Sequence, residues 1–130
     1  MLADLRLKEA RVLLGAHCWE GAYYLAGYSV ECALKACIAK QTERYEFPDR
    51  QKTNAVHTHD LDTLIQFAGL SPALQGLQTI DPGLLADWRI VREWWEQSRY
   101  ERPTRAEAED LLRAVGTRRR GILRWLRQHW

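Results

Sequence analysis

The stretch "YYLAGYSVECALKACIAK" covers residues 23–40 and reads as a helix with apolar or small side chains on nearly every side. At 100° per residue, Tyr24, Tyr28, Glu31 and Lys35 fall within about 60° of one another, because their spacing is i, i+4, i+7, i+11. Ala22, Leu25, Ala26, Ala33, Ala36 and Cys37 take the rest of the surface. A helix of this kind belongs at the centre of a bundle, and its one polar seam needs a reason. One reading is a Glu31–Lys35 pair on a solvent edge, worth about 0.3–0.5 kcal/mol. In the other, the seam faces a cleft where Glu31 orients a basic group from another element and the tyrosines line the wall.

The neighbouring segments are also helical. Ala3, Leu7, Ala10 and Leu14 mark one face of a first helix, and the second runs from about Trp19 to Lys40. "QTERYEFPDRQKTNAVHT", residues 41–58, is polar and without periodicity, a connection long enough to be functional. Thr58 is placed to cap a short helix with Leu61, Leu64, Ile65 and Ala68 inward and Gly69 at its end. Ser71-Pro72 and Asp81-Pro82 each pair a capping residue with proline at the first helical position. The second of these opens a helix with Leu84, Trp88, Val91 and Trp95 on one side. Thr104 and Glu107 form a capping box that launches a last helix through Leu111, Val115, Ile122 and Leu126, with a bend expected at Gly116 and Gly121. No segment alternates at period two for long enough to be a strand. The expectation is an all-α, up-and-down bundle of about five helices, a single domain over residues 1–130.

Composition narrows the function. The net charge of +2 is small, but from Leu111 onward there are six arginines and no acidic residue. Such a run makes either a solvated face or a surface for nucleic acid or an acidic partner. Cys18, Cys32 and Cys37 form neither a CxxC pair nor an even framework, as expected of small buried thiols in a reducing compartment. Asp4, Arg6, Lys8, Glu9 and Arg11 interrupt the beginning, unlike a signal peptide, and the longest apolar run is about half a membrane span. A soluble, cytoplasmic protein without a membrane segment is expected. His57 and His59 in "VHTHD" lack a third ligand nearby, so no metal is assigned, and His59 with Asp60 is expected to bond within the first turn of the third helix. "WWEQSRY" sets Arg99 and Tyr100 where the fourth helix ends, an arginine suited to carboxylate or phosphate beside aromatic stacking surface. No phosphate loop, dinucleotide fingerprint, zincin or nucleophile-elbow motif is present, and no cofactor is assigned.

"EARVLL", "YYLAGYSVECALKACIA", "THDLDTL", "SRY" and "AEDLL…ILRWL" follow one another in the chain, and this ordered set resembles the HEPN domains over essentially the whole sequence. The resemblance implies a helical bundle that commonly forms homodimers, binds nucleotide or RNA and partners a minimal nucleotidyltransferase in a toxin–antitoxin pair. Many branches are metal-independent RNases with an arginine separated from a histidine by four to six residues. Arg99 has no such histidine; the spacing occurs at Arg11 and His17, Arg50 and His57, and Arg124 and His129. Only Arg50 and His57, in the long connection, can converge freely, so they are the catalytic pair of an RNase toxin if the protein is one. The binding residues expected are Tyr28, Glu31, Lys35, His59, Arg99 and Tyr100, with Glu31 holding Arg99. Arg118, Arg119 and Arg120 would add electrostatic contacts to RNA. A purely structural dimerisation module is the third possibility.

Overall fold

The computed structural model describes residues 1–44 and 57–130, with backbone only at residues 42–44 and 98–99. Its helices are α1 (Leu2–Gly15), α2 (Trp19–Arg44), α3 (Leu61–Phe67), α4 (Ser71–Ile80), α5 (Pro82–Val91), a 3-10 helix (Glu96–Tyr100), α6 (Arg105–Val115) and α7 (Ile122–Arg127). No strand occurs among the described residues. The all-α expectation holds, with more and shorter helices than the five expected.

The 26-residue α2 packs against α1, α3, the 3-10 helix, α6 and α7, which is why it is apolar almost all round. Ala3 and Ala10 of α1 and Ala22, Ala26 and Ala33 of α2 are fully buried, and short side chains allow close helix approach. Between α1 and α2 the chain reverses at His17, whose φ of 63° is left-handed. Cys18 N–H donates to Leu13 O at 2.8 Å and His17 N–H to Leu14 O at 3.1 Å, so two end carbonyls of α1 are satisfied.

Four local expectations are corrected. Asp60, not Thr58, caps α3: its side chain accepts from Asp62 N–H, while Thr58 Oγ1 accepts from Asp60 N–H at 3.2 Å. Ser71 is the first residue of α4, whose N-cap is Leu70 with no side-chain bond. Helix α5 stops at Val91, so Trp94 turns inward and Trp95 is 46% exposed. Trp94 lies flat over Gly27, where an added Cβ would come within 2.2 Å of the indole. Burying an indole contributes about 4–6 kcal/mol, against about 1–3 for its Nε1–H, which has no partner among the described residues. Burial wins. The expected last helix is two helices, because Gly121 adopts φ +126° and an added Cβ would meet Val115 O at 2.6 Å.

Capping by Asp81 and the Thr104–Glu107 box are as expected. Cys37 is buried, whereas Cys18 is exposed, which the reading of all three cysteines as buried did not foresee. No helix among the described residues is long and apolar enough to cross a membrane.

Candidate functional site

Glu31 is 1% exposed, which overturns the solvent-edge reading of the α2 seam. Its position in the middle of a helix touched on many sides leaves it no route to water. Its Oε1 accepts a hydrogen bond from His59 Nδ1–H, and Lys35 Nζ lies 3.8 Å from the same oxygen. A carboxylate can only accept here, so it fixes which ring nitrogen of His59 carries hydrogen. No described residue bonds Oε2.

His59 thus reaches back across 28 residues to α2, where a bond within its own helix was expected. Asp60 explains the geometry, since capping α3 stops the chain from continuing as helix and leaves His59 just before it, aimed at the seam. The other face of the ring looks outward, with Nε2 3.5 Å from Glu96 Oε2. Glu31 is therefore the base plate, and His59 is the part of the pair that solvent and ligands can reach.

Above it opens a cleft of about 540 Å³, lined by 57–60 and 92–97. His57 is exposed at its rim, Trp95 supplies an accessible indole, and Arg92 donates to Asp62 Oδ2 at 2.8 Å. Trp94 closes the floor and touches Tyr24, with ring centroids 5.9 Å apart. Tyr24 in turn stacks on Tyr28 at 6.0 Å. The thiol of Cys32, first, and burial, second, raise the Tyr28 hydroxyl above an ordinary phenol, and burial raises the Cys32 thiol. Both therefore stay protonated at neutral pH.

Of the residues expected at the site, Glu31, Lys35 and His59 come together, and Tyr28 lies along the same seam. Tyr100 is exposed at the end of the 3-10 helix. The expected Glu31–Arg99 pair falls on a side chain outside the described residues, as does Arg50 of the Arg50–His57 pair. Arg118, Arg119 and Arg120 sit elsewhere, exposed on the loop between α6 and α7. Glu96 and Arg92 were missed. "WW" drew attention to aromatic surface there, but nothing local says which indole turns in. Among the described residues no group of three or more His, Cys, Asp or Glu side chains is arranged to hold a metal ion.

Comparison with known proteins gives no match among curated sequences or solved structures. The sequence pattern of the HEPN domain does match, over residues 2–129. An all-α chain matched over nearly its full length by that pattern belongs to the HEPN domain family.

Proposed function

We propose that this HEPN protein binds nucleotide or RNA in the cleft above Glu31 and His59, and acts in the cytoplasm as half of a toxin–antitoxin-type pair with a minimal nucleotidyltransferase. The observation that carries the binding reading is a fully buried carboxylate bonded to a histidine at the mouth of a cleft. Burying a carboxylate costs several kcal/mol, and an apolar residue of similar size would serve a bundle core as well or better. A buried Glu31 therefore makes sense for what it does to His59. Trp95 offers a face on which a base can stack, and Arg92 a guanidinium suited to phosphate. The partner enzyme and a homodimeric state come from the family resemblance.

Titrating a labelled nucleotide and a short RNA into wild type, Glu31→Gln and His59→Ala tests the reading. Each substitution is expected to weaken binding by about tenfold or more. Unchanged affinity rejects the cleft as the site, and no affinity in wild type favours a structural dimerisation module. One observation favours a second reading, the metal-independent RNase: His57 lines the same cleft as His59. RNA cut in the presence of EDTA by wild type but not by His57→Ala would establish it.

A further inference from the structure

The arginine-rich end of the chain builds a second concavity that shares no lining residue with the first. Its volume is about 670 Å³, and Arg11, Arg118, Arg120, Arg124 and Arg127 line it with Asp4 as its one acidic side chain. Three of the five arginines have assigned partners. Arg127 pairs with Asp4; Arg120 reaches Asp81 at 2.7 Å and Asp87 at 3.9 Å; Arg11 donates to Gly116 O at 3.0 Å. Arg118 and Arg124 are exposed and bond no described residue.

The loop that presents Arg118 is braced. Thr117 N–H donates to Arg120 O at 2.8 Å, and Arg120 is anchored on the aspartate that caps α5. The guanidinium of Arg120 packs so closely over Gly83 that an added Cβ would lie 2.4 Å from it. Arg120 is thus a fastener, while Arg118 and Arg124 keep unspent charge in a cleft of fixed shape.

We propose that this cleft is a track for the phosphate backbone of single-stranded RNA, recognised by charge and not by base. Guanidinium groups match phosphate in bidentate fashion. Among the described residues the lining holds no aromatic ring on which a base could stack, and its apolar members, Leu7 and Leu123, are buried. An acidic peptide would offer carboxylates, but a peptide groove also needs apolar pockets for its other side chains. The choice of RNA as the strand rests on the proposed function; the position of the cleft does not.

The test measures binding of labelled oligouridine and oligoadenosine against salt by fluorescence anisotropy. Wild type should bind both alike, with log Kd linear in log salt. Replacing Arg118 and Arg124 with Gln should flatten the slope by about 1.4, two single-strand phosphate contacts. Arg89→Gln with Arg102→Gln, an equal charge change elsewhere, should leave the slope in place. Arg118 and Arg124 hold no ion pair among the described residues, so matching melting curves are expected for the variant and wild type. Wild-type binding with an unchanged slope in the Arg118/Arg124 variant would overturn the cleft alone. No strand binding by wild type would overturn the RNA reading with it. Equal or tighter binding of polyglutamate would overturn the strand in favour of an acidic peptide.

Discussion

Two nitrogen groups share one oxygen of Glu31, and they do so on unequal terms. Lys35 stands 3.8 Å away on the same helix, partly exposed and beyond hydrogen-bond reach, so its contribution is expected to stay below about 1 kcal/mol. His59 bonds the carboxylate directly, and hydrogen bonds to charged groups contribute about 1.5–3 kcal/mol. Glu31→Ala and His59→Ala should each cost about that much in urea melts, and the double mutant less than their sum. Lys35→Ala should cost under 1 kcal/mol; equal losses for Lys35 and His59 would reverse the assignment. The seam and its need for a basic partner were legible in residues 23–40. That His59 is one such partner was not, because only the path of the chain at Asp60 brings it to Glu31. A second residue with a measurable signature is Cys37, whose thiol burial raises to about 11 from 9.0. A raised folded-state pKa means its stabilising contribution is present below pH 9 and is lost as pH climbs toward 11. Wild type should therefore lose stability over that window more than Cys37→Ala does. Identical pH dependence would show that the thiol is not buried as described.

Helix boundaries depend on two glycines that do different things. Gly27 lies inside α2 and exists to let Trp94 lie against the helix, so Gly27→Ala should displace the indole and cost about 1–3 kcal/mol by overpacking. A shift in tryptophan emission should accompany it; an unchanged spectrum would mean that Trp94 does not rest there. Gly121 breaks the chain between α6 and α7 with a backbone conformation and a carbonyl contact that alanine cannot share. Gly121→Ala should cost more than Gly116→Ala, where φ is −175° and the nearest atom is the mobile end of Leu7 at 3.1 Å. Caps that rest on local chemistry, such as Asp81 and Thr104 with Glu107, were readable from spacing alone. The end of α5 was not, since Leu84, Trp88, Val91 and Trp95 keep perfect helical spacing and only the room above Gly27 selects Trp94 instead.

On the scale of the whole molecule the question is what remains uncovered once the bundle is closed. Of the six tryptophans, Trp88, Trp94 and Trp125 are buried and only Trp95 is exposed. Part of the apolar surface left over lies on the outer face of α1, where Leu2 and Leu5 are about half-exposed and Val12 is 65% exposed, while Ile80, also exposed, stands apart at the end of α4. Leu5 and Val12 join Leu13 and Leu25 around a shallow groove of about 420 Å³ with Lys8 and Glu9 on its rim. A contact related by two-fold symmetry sets a patch against itself, and one charge of each sign beside an apolar strip can then pair across the axis. The groove is therefore expected to be the homodimer face. Light scattering should give twice the 15.2 kDa of one chain, and Leu5→Lys with Val12→Lys should return the protein to a monomer without lowering its melting temperature in dilute solution. Neither side chain belongs to the core, so loss of folding is not an expected result. A wild-type monomer at micromolar concentration would refute dimerisation, whereas a dimer that survives both lysines would keep the assembly and move its interface to another face of the bundle.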